Sequence, residues 1–278
     1  MMLTNKTITF LGAGAMAEAI IGGLVRNQIV TPQQIIATNL SDTFKLERLE
    51  QRYGIQTTSD REQAVKQADF VVLAMKPKNV EEAIREIKSV IYKEQLFISV
   101  IAGIPASYIE DLSGGQARVV RTMPNTSAKV GASATAISAG TFATDEDLDT
   151  VSLLFSAVGT VTVVPESKMD AVTGVAGSGP AYFYYLIEAM EKAAVESGLT
   201  PEEATSLITQ TVVGVGKRLQ DTSKTSRELY KEVMSPNGTT EAGITLLSER
   251  NGQDAMHDAI IKAIARSKEL GSVFTESK

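Results

Sequence analysis

Along the first half of the chain the apolar positions switch repeatedly between strand and helix spacing. Ile8–Leu11 is a short apolar run closed by Gly12. Met16, Ala17, Ile20, Ile21, Leu24 and Val25 then recur at helical intervals. Ile35–Thr38 reads as a second strand and Thr43–Tyr53 as a second helix ended by Gly54. The unbroken apolar run 70–75 is the signature of a central parallel strand covered on both faces, and Pro77 stops it. Val80, Ala83, Ile84, Ile87 and Ile91 mark another helix. Strands are predicted at 96–101, 118–122, 132–137 and 160–164, with helices at 107–112 and 145–158. This βαβα alternation predicts an α/β fold, a doubly wound and mostly parallel sheet of the Rossmann kind.

Beyond about Glu166 the strand pattern stops. The stretches 181–197, Pro201–Gln220, 226–234 and 253–271 read as helices, and Thr200-Pro201 with Glu203 is a strong helix start. Two domains are expected: residues 1–166, α/β, and residues 167–278, all-α. The helical half is rich in small residues (Ala193, Ala194, Gly198, Gly214, Gly216, Ala242, Gly243, Ala259, Ala263, Ala265). Close helix packing against the same half of a second subunit is the expected use.

Composition narrows the chemistry. With 278 residues, 43% apolar and 22% charged, the chain can bury a core without staples. No apolar run approaches the ~18 residues of a membrane span, and the opening residues lack the apolar core of a secretory signal. There is no cysteine, which fits the cytoplasm and removes thiolate and zinc–sulfur chemistry. The single histidine, His257, allows no multi-histidine metal site and leaves one imidazole for a Ser-His-Asp arrangement. It is expected on a helix surface or interface. A net charge of −6 argues against general affinity for nucleic acid. A locally positive pocket for a small anion remains compatible with it.

Seven stretches carry candidate chemistry. Gly12-Ala13-Gly14-Ala15-Met16-Ala17 follows the first strand and opens the first helix. The two glycines allow a tight turn and close approach of a pyrophosphate, and the helix start offers free N–H groups. Thr38-Asn39-Leu40-Ser41 ends the second strand with no carboxylate where an NAD enzyme usually has one. Asn39 and Ser41 can donate to a 2′-phosphate, favouring NADP(H) over NAD(H), or can cap the next helix together with Asp42; both readings hold at once. Ala74-Met75-Lys76-Pro77 and Ser99-Val100-Ile101-Ala102-Gly103 end strands on the edge where ligands bind. Lys76 reads equally as a solvated lysine. Arg121-Thr122-Met123-Pro124-Asn125-Thr126 is a sharp turn whose plain reading is structural, with Arg121 as a partner for carboxylates. Gly174-Val175-Ala176-Gly177-Ser178-Gly179-Pro180-Ala181-Tyr182 is expected to interrupt a helical region. Ser235-Pro236-Asn237-Gly238-Thr239-Thr240 joins two helices and is either a plain turn or an anion site built from N–H and hydroxyl donors.

In their order and spacing Gly12-Ala13-Gly14 with Met16-Ala17, Met75-Lys76-Pro77, Arg121-Thr122-Met123-Pro124-Asn125-Thr126, Gly177-Ser178-Gly179-Pro180-Ala181-Tyr182 and Ser235-Pro236-Asn237-Gly238-Thr239-Thr240 together resemble pyrroline-5-carboxylate reductase over nearly the whole chain. The resemblance implies reduction of the cyclic imine 1-pyrroline-5-carboxylate to L-proline, the last step of proline biosynthesis, by NADPH or sometimes NADH. It implies a Rossmann domain followed by a helical domain that interlocks a homodimer, which many members build into decamers. By position, Leu11, Gly12, Ala13, Gly14, Ala15 and Met16 hold the pyrophosphate, and Asn39 with Ser41 the adenosine ribose end. Ala74, Met75, Lys76, Pro77 and Ala102 line the nicotinamide side. Glu166, Ser235, Gly238, Thr239 and Thr240 surround the substrate. Asn237 stands where glycine is usual, Arg61 near a usual Asn, and Glu232 where an amide is more usual. Such chemistry suits this chain: a cyclic imine takes its proton from solution, so the protein needs a carboxylate clamp (Gly238, Thr239, Ser235) and a hydroxyl for the nitrogen (Thr240), not a metal or a histidine. The competing readings are a β-hydroxyacid dehydrogenase, for which Lys168 and Lys192 sit in no matching motif, and a cofactor-binding regulator with little turnover.

Overall fold

Side chains alternate in direction along each strand, and both sets are apolar. Ile8, Phe10, Phe70, Val72, Leu96 and Ile98 join one core cluster; Leu11, Val71, Leu73, Phe97 and Val119 join another. A sheet with two apolar faces must be covered on both, and the computed structural model, which describes residues 3–115 and 117–274, covers it with helices.

In chain order the first elements are β1 (Ile8–Leu11), α1 (Ala15–Arg26), β2 (Ile35–Thr38), α2 (Thr43–Tyr53), β3 (Gln56–Thr58), α3 (Arg61–Lys66) and β4 (Phe70–Leu73). They continue as α4 (Val80–Ile87), β5 (Leu96–Ser99), α5 (Ala106–Ser113), β6 (Arg118–Met123), β7 (Ser133–Ala139), α6 (Asp145–Ser156) and β8 (Gly159–Val163). The sheet order is β3-β2-β1-β4-β5-β6-β7-β8. Every pairing is parallel except β6 with β7. The α/β, mostly parallel expectation therefore holds.

The helical region comprises α7 (Met169–Val172), α8 (Gly179–Glu196), α9 (Pro201–Gln220), α10 (Ser226–Val233), α11 (Thr239–Glu249) and α12 (Gly252–Ser272). The glycine-rich stretch before α8 does not interrupt the helix as expected. Residues Thr173–Gly177 form a wider π-helical turn that leads on toward α8. Four elements lie outside the expected set: β3, α3, the short α7 and α11.

The chain divides into two compact units, Met1–Pro180 with Lys262–Lys278, and Ala181–Ile261. This division differs from the expected change at 166/167 because parts of the helical region pack on the sheet domain. Met169 is buried. Ser267 Oγ donates to Asp170 Oδ1 at 2.7 Å, the Phe274 ring stands edge-on to Tyr108 at 5.1 Å, and a Cβ on Gly271 would come within 2.8 Å of the Gly103 carbonyl. In the second unit Ala204 and Ile208 are the only buried residues, whereas Phe183, Tyr184, Tyr185, Leu207, Val215 and Leu247 are all exposed. Its helices form from local signals such as the Thr200–Glu203 capping box, without a core of their own. Among the described residues no helix is long and apolar enough to cross a membrane.

Candidate active site

Strand register builds one candidate region, at the carboxyl edge of the sheet. Thr38 is level with Leu11, Leu11 with Leu73, Leu73 with Ser99, and Ser99 with Arg121. The carboxyl ends of β2, β1, β4, β5 and β6 thus form one row. The segments following them, at Asn39, Gly12, Ala74, Val100 and Pro124, follow along that edge. After β3 the chain returns to the other side of β1 as β4, so a crevice opens between β1 and β4.

Gly12 stands at this crevice with φ 111°, and a Cβ there would lie 2.6 Å from the Ala74 carbonyl oxygen. Its N–H donates to Thr38 O at 3.2 Å, and the Ala74 N–H donates to Leu11 O at 2.9 Å. Gly14, the cap of α1, is different. Its backbone is extended (φ −76°), and a Cβ would meet nothing nearer than Ala74 O at 3.9 Å. Packing does not require glycine at 14; it keeps the space before the helix open. No side chain caps α1, so the Ala15, Met16 and Ala17 amides face that space without intrahelical acceptors. Ala13 and Ala17 are buried and hold α1 close to the sheet. An open cradle beside unpaired amides fits a dinucleotide pyrophosphate.

At the end of β2, Asn39 Oδ1 accepts the N–H groups of Ser41 and Asp42, each at 3.2 Å. Asp42 caps α2 by accepting Lys45 N–H at 2.9 Å. The capping reading holds at Asp42. Asp42 takes the cap, and among the described residues neither Asn39 Nδ2 nor Ser41 Oγ has a partner. Beyond β4, Met75 is half-buried and Lys76 is exposed before the turn Pro77–Asn79. Lys76 makes no ion pair among the described residues. Ala102 is exposed.

Arg121 is buried and donates to Glu166 Oε1 at 3.3 Å, and the same oxygen accepts the Ala106 N–H at 2.8 Å. Glu166 is thereby fixed at the start of α5, which bears out the plain reading of Arg121 as a carboxylate partner. Asn125 Nδ2 donates to Ala176 O at 3.1 Å, and a Cβ on Gly177 would lie 2.5 Å from Met123 Cε. The turn after β6 and the glycine-rich stretch are therefore one packed structure.

The second unit carries a candidate region of its own. Gly238 caps α11; a Cβ there would lie 2.3 Å from Ser235 Oγ, so only glycine fits. Asn237 takes φ 59°, a left-handed conformation that Asn tolerates. The Gly238 N–H donates to Ser235 O at 2.9 Å and is thus already used within the turn. The amides left for an anion are those of Thr239, Thr240 and Glu241, which have no intrahelical acceptors. Among the described residues no partner satisfies the hydroxyls of Ser235, Thr239 or Thr240.

Sequence reasoning overlooked Glu241. Its Oε2 accepts the Asn237 N–H at 2.7 Å and holds the loop; an acidic residue three places after a helix cap was the available signal. Glu232 ion-pairs with Lys224 and Arg218, and the Lys224 ammonium, with Arg218 second, holds its carboxyl below the usual range. His257 is exposed on α12 beside Asp258.

Residues 166–270 match the family model described as pyrroline-5-carboxylate reductase dimerisation, and residues 7–103 that described as NADP oxidoreductase coenzyme F420-dependent. The chain is 43% identical over 266 residues to pyrroline-5-carboxylate reductase 1 of Bacillus spizizenii, covering 96% of this chain and 90% of that one. The solved pyrroline-5-carboxylate reductase of Coxiella burnetii superposes with a TM-score of 0.88 at 36% identity, covering 96% of this chain and 98% of that one. The Plasmodium falciparum pyrroline carboxylate reductase, solved with NADP bound, gives a TM-score of 0.88 at 25% identity and the same coverage. From the cradle at the sheet edge to the helical region, this chain belongs to the pyrroline-5-carboxylate reductase family.

Proposed function

We propose that the protein reduces 1-pyrroline-5-carboxylate to L-proline with NAD(P)H, NADPH being preferred, in the cytoplasm. The observation that carries this reading is the start of α11. Unpaired amides of Thr239 and Thr240 lie there with three unpartnered hydroxyls, a receptor for a small carboxylate that uses no metal or histidine. Family membership supplies the rest.

The Gly12–Met16 cradle fits the pyrophosphate, and the Asn39 and Ser41 donors suit a 2′-phosphate better than a carboxylate would. Ala74, Met75, Lys76, Pro77 and Ala102 are assigned to the nicotinamide side. The bound nicotinamide supplies a hydride. The substrate nitrogen arrives protonated from solution, so no general acid is required. Ser235 Oγ and the Thr239 and Thr240 amides hold the carboxylate; Thr240 Oγ1 holds the nitrogen. Gly238 serves as the tight turn that sets Ser235 against α11, its own N–H being spent on Ser235. Glu166 is assigned to the substrate surroundings, oriented by Arg121 and the Ala106 amide. The test is NADPH oxidation with pyrroline-5-carboxylate, repeated with NADH. Cofactor binding without imine-dependent oxidation would favour the regulator reading instead.

Ser235→Ala should raise the substrate KM about tenfold, the scale of one lost charge-assisted hydrogen bond, with turnover nearly unchanged. A fall in turnover alone would contradict a clamping role.

The chain is an oligomer by its dimerisation domain; the finer proposal is a homodimer through α8–α12, which dimers can extend to a decamer. The exposed apolar side chains of a unit with two buried residues support it. Obligate interfaces bury about 2,000–5,000 Å², so sedimentation should show no monomer at micromolar concentration. A stable monomer there would remove this reading.

A further inference from the structure

We propose that Asn237 is a site of spontaneous deamidation, gated by the order of the loop that it belongs to. The chain has two Asn-Gly pairs, Asn237-Gly238 and Asn251-Gly252. Glycine after asparagine removes the side chain that otherwise hinders attack of the backbone nitrogen on the asparagine amide carbon. The turn cannot discard this pair's glycine, because any Cβ at 238 meets Ser235 Oγ at 2.3 Å and Ser235 O at 2.9 Å. Asn237 itself is exposed, and among the described residues its side-chain amide has no partner.

Two bonds restrain the reaction. The Gly238 N–H is committed to Ser235 O at 2.9 Å, and the Asn237 N–H to Glu241 Oε2 at 2.7 Å. While both stand, the attacking nitrogen is held in its turn. When the loop opens, the Gly238 nitrogen bonds to Asn237 Cγ, the Cγ–Nδ2 bond breaks, and ammonia leaves with the proton lost from the Gly238 amide. Water then opens the resulting succinimide at either carbonyl, giving aspartate or isoaspartate. The net change is one water in, one ammonia out and one new negative charge.

Asn251 provides an internal clock. It is exposed with φ 53°, and Gly252 begins α12, so its N–H has no intrahelical acceptor and no comparable lock. The functional consequence rests on the proposed carboxylate clamp. A carboxylate at 237 repels the substrate's own, and isoaspartate lengthens the backbone just before the Thr239 and Thr240 amides.

The experiment ages the intact protein in warm, mildly alkaline buffer, with and without saturating L-proline. Trypsin cuts after Lys231, Arg250 and Lys262, so the two pairs fall in separate peptides, 232–250 and 251–262. Conversion in 232–250 should accompany a rise in the imine KM of tenfold or more for the converted fraction. Proline should slow that peptide and not 251–262. Glu241→Ala should speed 232–250 severalfold, and Glu241→Gln, which keeps an acceptor, should do so much less. Asn237→Gly, compared with its own unaged activity, should lose none on ageing. If 232–250 stays amidated while 251–262 converts, the site is wrong. If Glu241→Ala leaves the rate unchanged, the gating is wrong. Conversion at 237 with an unchanged KM would confirm the site and overturn the clamp.

Discussion

Thr240→Ala should lower turnover by one to two orders of magnitude, a loss of about 1.4–2.7 kcal/mol in the transition state. The Thr240 hydroxyl has no partner within the chain's described residues, so removing it breaks no native bond and should leave the melting temperature nearly unchanged. Its amide, which the substitution keeps, still serves the carboxylate, so the substrate KM should move little. The loss is expected at the nitrogen, which changes from planar to tetrahedral during the reaction and needs a partner that follows it. Single-turnover kinetics at saturating cofactor measure this directly. Unchanged turnover would show that another group holds the nitrogen.

Gly12→Ala should weaken cofactor binding by about ten- to a hundredfold and lower the melting temperature. A non-glycine residue at φ 111° costs about 1–3 kcal/mol. Its methyl group would also press on the Ala74 carbonyl, a backbone atom that cannot step aside without moving the end of β4. Gly14→Ala is the contrast: the chain itself tolerates that methyl, so the melting temperature should hold while affinity falls. Titration of NADPH against each variant, with thermal unfolding alongside, separates the effects. Equal melting losses for both would mean that Gly14 is constrained by packing after all.

The cradle was legible because its signal is local. A strand, two glycines and an apolar helix stripe lie within a few residues of each other, and the conformations that they require follow from steric rules. Thr43–Tyr53 and Pro201–Gln220 were legible in the same way, through end signals and spacing. β3 was missed because it is three residues of half-exposed, polar sequence at a sheet edge, with no alternation to detect. The π-helical turn was missed because glycines read as breaks. Their use, letting Gly177 approach Met123, depends on a side chain more than fifty residues away. α11 was missed because it buries nothing, so no apolar stripe announces it.

What the sequence determined by itself is the alternation of the main strands and helices, the mostly parallel sheet and the residue types at the strand ends, because propensity and periodicity act between near neighbours. Tertiary structure decided which partner each polar group takes: Glu166 held by Arg121 and Ala106, Asp42 spent on a cap, the Gly238 amide spent on Ser235, and Glu241 recruited to hold the loop. Hydrogen bonds select by distance and direction in space, and only the folded chain fixes those.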